Sequence, residues 1–282
     1  MPIPAVARLV TVAVVAALFA APPLAGASPR QASGAFESKN RSFEPSGAYA
    51  FPSEVGMNGE KGIRIAVSNA GFIAEALDGY YDRRYFIDTY FRDAETLVVY
   101  FDFATNGAYK GMSYYFGSGA GCGFCYDGAV VSTVRFSGGR AQGKVKLTPK
   151  PGEAHWDIDI DVPVASADYG VALPAGGGAP GKAYAAYHAA LAGGEPDAVK
   201  PFFTQENQEG WAEDRDEIVA SYRKDHPDKS YRIVSGWSRG DRALLLIEGA
   251  SSYMNAKSEV QLVKEKGTWR IANEMMQARL GN

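Results

Sequence analysis

The 282-residue chain carries 29 Lys and Arg against 32 Asp and Glu, a formal net charge of -3, with 3 His and 2 Cys. That balance, with no long basic run, excludes the clustered phosphate neutralisation on which nucleic-acid binding rests. So few His and Cys leave almost no material for haem, iron–sulfur or four-ligand zinc sites, and no cofactor or metal is expected.

Met1–Ala27 reads as a secretory signal peptide: Arg8 supplies the positive region, Leu9–Ala21 the apolar run, and Ala25-Gly26-Ala27 the small-residue cleavage site. The run is shorter than the roughly 20 apolar residues that span a bilayer. No Cys lies near the cleavage point, and no later stretch approaches spanning length. The expectation is a periplasmic or secreted protein, cleaved after Ala27, without a lipid or transmembrane anchor.

Residues 28–46 are polar and rich in small side chains, and read as a disordered leader. Residues 47–165 read as a β-rich domain. Ile63–Val67 is a short strand, and Leu97–Phe103 puts Leu97, Val99, Phe101 and Phe103 on one face. Tyr109–Phe116 follows a Thr-Asn-Gly turn. Ala129–Phe136 and Gly143–Leu147 flank the hairpin signal Ser137-Gly138-Gly139-Arg140. Trp156–Val164 closes the set with period-2 alternation. Short strands between recurring turns predict an antiparallel sandwich or partial barrel. Phe86–Phe91 fits a short helix or another strand equally.

Within this domain Cys122-Gly123-Phe124-Cys125 is the sharpest local motif. It lies in a Gly-rich loop between two strands, not at a helix N-terminus that would activate a thiol. For an exported chain with two Cys, a Cys122–Cys125 disulfide is the expected state, with a redox pair or half a metal site as alternatives. Asp157, Asp159 and Asp161 alternate with Trp156, Ile158 and Ile160, so the three carboxylates share a strand face, neighbours roughly 6.6 Å apart. Calcium loops need turn residues between their ligands, where this segment has Ile. The stripe reads as a solvated strand face.

Ala165–Pro180, with Gly176-Gly177-Gly178 between two prolines, reads as a break, and residues 166–179 as a linker. Beyond it the periodicity becomes helical. Lys182–Leu191 places Tyr184, Tyr187, His188 and Leu191 on one face and stops at Gly193-Gly194. Glu195–Phe203 is expected as a second helix and Glu209–Lys224 as a third, with Trp211, Ile218, Val219 and Tyr222 inward. Ser230–Trp237, Arg242–Glu248, Ser258–Lys264 and Thr268–Asn273 read as strands. The sequence contains no Walker A loop, no G-x-S-x-G and no H-E-x-x-H.

Three helices followed by strands, the Ala/Tyr-rich first helix after Pro180-Gly181, and the terminal Gly267-Thr268-Trp269-Arg270-Ile271 strand resemble the nuclear-transport-factor-2-like superfamily, in particular its exported members of unknown function. The resemblance covers Pro180 to about Arg279, within a C-terminal domain expected over residues 180–282. It implies an α+β cone of helices against a curved antiparallel sheet, enclosing a cavity. The fold class expected for the whole chain is therefore α+β, a β domain followed by this cone. The superfamily hosts isomerases, dehydratases and cyclases as well as binding and assembly domains, so it does not choose between enzyme and binder.

The resemblance implies a cavity bordered by Tyr184, Tyr187 and His188, with Trp211 near. Glu248 and Glu274 sit on or beside strands that reach toward it, either of them placed to orient His188. A bland alternative is a partly buried His beside two core tyrosines. No acid, base and nucleophile can be assembled by spacing alone. The leading expectation is a non-catalytic envelope protein that binds a small apolar ligand or a protein partner at Tyr184, Tyr187, His188, Trp211 and Glu274. The alternatives are a cavity isomerase, dehydratase or hydrolase using His188, and a periplasmic immunity or inhibitor protein.

Overall fold

The computed structural model describes residues 31–37, 42–56, 58–72, 77–90, 96–116, 130–147, 155–209, 216, 219–220, 231–250 and 255–278. Two compact units divide between Asp168 and Tyr169. Of the described residues 55% are strand and 23% helical, in three antiparallel sheets.

The first unit runs through β1 (Ala32–Glu37), β2 (Ser42–Phe43), β3 (Gly47–Val55), β4 (Glu60–Ser68), α1 (Arg83–Tyr90), β5 (Leu97–Ala104) and β6 (Tyr109–Phe116). It continues with β7 (Val130–Ser132), β8 (Arg135–Ser137), β9 (Arg140–Leu147) and β10 (His155–Pro163). One sheet has the order β3-β4-β5-β6; the other has β2-β1-β10-β9-β7, with β8 also paired to β9. Apolar residues at alternate positions line one core between them: Ile65, Val67, Val99 and Phe101 from the first sheet, Phe36, Val145, Trp156, Ile158 and Ile160 from the second.

Residues 32–43 are part of this fold, so the expected disordered leader is corrected over that stretch. β1 pairs with β10 along its whole length. Phe36 is completely buried, its ring 5.4 Å from Phe43 and 6.2 Å from Trp156. Ala32, Phe36 and Phe43 bury enough apolar surface to order an otherwise polar stretch. The segment left open between helix and strand is helix α1. It starts where the Tyr85 amide donates to Asp82 Oδ1, an N-terminal cap. Ala129–Phe136, expected as one strand, is broken into β7 and β8 at Thr133–Val134. Cys122 and Cys125 lie outside the described residues.

The second unit contains β11 (Val171–Ala172), a 3-10 turn (Ala175–Gly177), α2 (Gly178–Gly193), α3 (Pro196–Val199), a second 3-10 turn (Lys200–Phe202) and α4 (Gln205–Glu209). A sheet of order β11-β12-β13-β14-β15 follows, from β12 (Tyr231–Arg239), β13 (Arg242–Ala250), β14 (Asn255–Glu265) and β15 (Thr268–Ala278). The expected linker contributes to this unit. β11 pairs with β12 at Val171↔Ser238, and the Leu173 amide donates to the Gly236 carbonyl.

The α+β class and the cone of helices against a sheet are overturned: the described chain is mostly β, with few helices. Glu195–Phe203 is not one helix. Pro196 opens α3 at its first turn, and Pro201, lacking an amide donor, falls in a 3-10 turn instead of extending it. Of Glu209–Lys224, Glu209 closes α4 and residues 216, 219 and 220 are helical; the rest, with Trp211, lies outside the described residues. What remains is one long helix, α2, laid on a five-stranded sheet. Side chains fill the space between them: Tyr184, Tyr187 and Leu191 of α2 pack with Leu245, Val260 and Ile271. Among the described residues no helix is long and apolar enough to cross a membrane.

Candidate functional site

α2 is Ala-rich, begins with Pro180 in its first turn, and ends where the Gly194 amide bonds the Ala190 and Leu191 carbonyls. Its buried side chains, Tyr184, Tyr187, His188 and Leu191, recur at helical spacing and face the sheet. On the sheet, Glu274 of β15 pairs with the fully buried Val260, which fixes it on the helix-facing side. Tyr231 opens β12 and joins the same core.

These placements bring four residues together. The Tyr184 hydroxyl donates to Glu274 Oε1 at 2.8 Å. The Tyr184 and Tyr231 rings meet edge to face, centroids 5.2 Å apart at 90°. The His188 ring lies 4.6 Å from Tyr231 and 6.1 Å from Tyr184. Tyr184 is almost fully buried, His188 is 9% exposed, and Tyr231 is partly open, so the array runs from core to surface. Tyr187, fully buried, lies on the core side, its ring 5.8 Å from Tyr184 and against Phe202 and Phe203.

Burial lowers the His188 pKa below its ordinary value, so the imidazole is neutral at pH 7. Burial also raises the Tyr231 phenol. The result is a partly open Tyr231 ring with the edge of a neutral His188 beside it, backed by the buried Tyr184 that Glu274 holds in place. The open part of such a cluster offers an apolar contact surface with a polar tip.

The candidate residues are thus placed unequally. Tyr184, His188 and Glu274 come together; Tyr187 belongs to the packed core; Trp211 lies outside the described residues. Glu248 is on the other face of the sheet, accepting from Arg232 Nη2 at 2.7 Å and paired with Lys257, and its pKa is lowered by those partners, Arg232 first. It does not orient His188. Tyr231 has no helical spacing to tie it to His188 in the sequence; the signal for it is the alternation Tyr231, Ile233 on one strand face. Among the described residues no group of three or more His, Cys, Asp or Glu is arranged to hold a metal ion. His155 pairs with Glu37 at 3.1 Å, and Asp157, Asp159 and Asp161 form ion pairs with Lys144, Lys146 and Arg140. No protein-family model matches this sequence, and no curated protein matches it.

Proposed function

We propose that this is an exported binding protein whose C-terminal unit captures a small apolar, ring-bearing molecule on the His188–Tyr231 face. Export rests on the signal-peptide pattern of Met1–Ala27. The observation that carries the binding reading is the braced ring array. Tyr184 is pinned by Glu274; Tyr231 meets it edge to face and His188 lies tilted against Tyr231, where the cluster reaches solvent. Aromatic side chains already held in place lose little conformational freedom on binding, and that preorganisation supports affinity. A neutral imidazole at the rim adds one directional hydrogen bond without the cost of burying a charge.

The test uses the intact mature chain and the apolar fluorophore N-phenyl-1-naphthylamine. The parent should enhance its emission saturably, and Tyr231→Ala should weaken binding about tenfold, the effect of losing one aromatic anchor. Far-UV circular dichroism should show the variant folded. Equal binding by parent and variant, or no saturable enhancement by the parent, would contradict this reading.

A further inference from the structure

A second site is built on the first unit, independently of the ring array. The solvent face of its larger sheet holds a shallow, open groove of about 600 Å³. It runs across β1, β10 and β9 to β7 and the Thr133 turn. Gly143 shapes its wall: with φ at +141° and no Cβ, it lets Thr133 and Val134 cross close above β9, where a Cβ would sit 2.5 Å from the Thr133 carbonyl oxygen. The Thr133 amide donates to the Lys144 carbonyl and the Lys144 amide donates to Thr133 Oγ1, which locks the crossing.

The charged groups of the groove are paired with one another or with Asp157 and Arg140 beside it. Lys144 Nζ bonds Asp157 Oδ1 at 2.8 Å and Asp159 Oδ2 at 3.3 Å. Arg140 and the Gln142 amide both donate to Asp161 Oδ1. Each ammonium has three donors and each carboxylate about four acceptor positions. Among the described residues these pairings leave donors and acceptors over, alternating along the groove beside Ser33 and Gln31. The two signs cancel in the lining, Lys144 and Lys146 against Asp159 and Asp161, so no net field selects a polyanion or polycation. Val131, 59% exposed, gives the floor an apolar patch.

We propose that this groove binds a neutral oligosaccharide of a few residues. A sugar hydroxyl donates and accepts at once, and a vicinal pair spans an acceptor and a donor such as Asp159 and Lys144. The C–H face of a pyranose ring covers Val131. A shallow, open trough admits a chain that enters and leaves at both ends, whereas a compact small molecule needs a concave site that encloses most of its surface.

The test is two-dimensional NMR on the intact mature chain. The probes are neutral tetra- to hexasaccharides of glucose, N-acetylglucosamine and mannose, tested one by one. At least one should shift the Ser33, Gln142 and Lys144 amides saturably. Gln142→Ala and Val131→Ser, both at exposed positions, should each weaken that binding at least fivefold while leaving the remaining spectrum in place. Several results would overturn the proposal: no groove shifts with any probe, shifts confined to another surface, equal shifts from glycerol at matched hydroxyl concentration, or the same affinity in both variants. Saturable groove shifts with polyglutamate but with no sugar would mark a charge-driven surface instead, and would also overturn it.

Discussion

Arg64 and Asp102 form a two-pronged ion pair almost out of water, with side chains 8% and 13% exposed and N–O distances of 2.7 and 2.8 Å. The Glu54 carbonyl accepts from Arg64 and the Gly56 amide donates to Asp102, so the pair also clips the β3–β4 hairpin. Removing one partner leaves the other charge buried and unmatched. Asp102→Ala should therefore cost about 3–5 kcal/mol in denaturant unfolding. A loss under about 1 kcal/mol would show that the pair is solvated. His188 supplies a second residue-scale prediction. Its folded-state pKa is held down by burial, so the unfolded chain takes up the proton first. Stability should fall as pH drops below about 6.5 and level off once the folded-state pKa is passed. His188→Gln should remove that part of the decline; identical melting profiles between pH 7 and 5 in parent and variant would contradict it. The sequence pointed to Tyr184, His188 and Glu274, because helical spacing and strand position are local signals. Arg64 and Asp102 were not legible, since an alternating charge on a strand reads as solvent-facing until a partner across the sheet is known.

At the scale of elements, strands with strong alternation such as β5 and β10 were readable, and α2 was readable from its Ala/Tyr spacing and its Gly-Gly stop. β1 was not, because its apolar residues are few and widely spaced: Ala32 and Phe36 face the core while Gly34 between them carries no side chain. Gly34 is there for contact, not flexibility alone. Its φ is +115°, and a Cβ would sit 1.9 Å from the Asp157 carbonyl oxygen of the paired strand. Gly34→Ala should push β1 off β10 and cost about 3 kcal/mol or more, read from the unfolding midpoint. Unchanged stability would mean that β1 is not paired there. α1 was ambiguous for a different reason. Arg83, buried at 2% exposure, donates to the Leu77, Asp78 and Ser166 carbonyls. Tyr100 donates to Asp88 beneath the ring-facing Arg84. Burial raises the pKa of both Asp88 and Tyr100. Phe86 and Ile87 are its buried apolar residues, adjacent in sequence, and polar anchors hold the rest, so no repeating apolar stripe marks the helix.

For the whole molecule, the sequence marked a division but misjudged the class. The break falls at Asp168–Tyr169, and the Gly/Pro stretch beyond it belongs to the second unit through β11. Helix length was overestimated: over Glu195–Phe203 the expected helix is a four-residue α3 opened by Pro196 and then a 3-10 turn holding Pro201, and strands dominate the described chain. Strand pairings across long sequence separations decide that balance, and local periodicity does not report them. The proposed capture of a small apolar, ring-bearing molecule by the ring array of the second unit is open to one direct test on the intact protein: following the imidazole proton resonances of His155 and His188 as N-phenyl-1-naphthylamine is added, with His188 assigned by loss of its signal in His188→Gln. The His188 resonances should shift saturably while those of His155, in the other unit, stay in place. A saturated probe signal with His188 unmoved, or equal shifts of His155 and His188, would overturn the proposal.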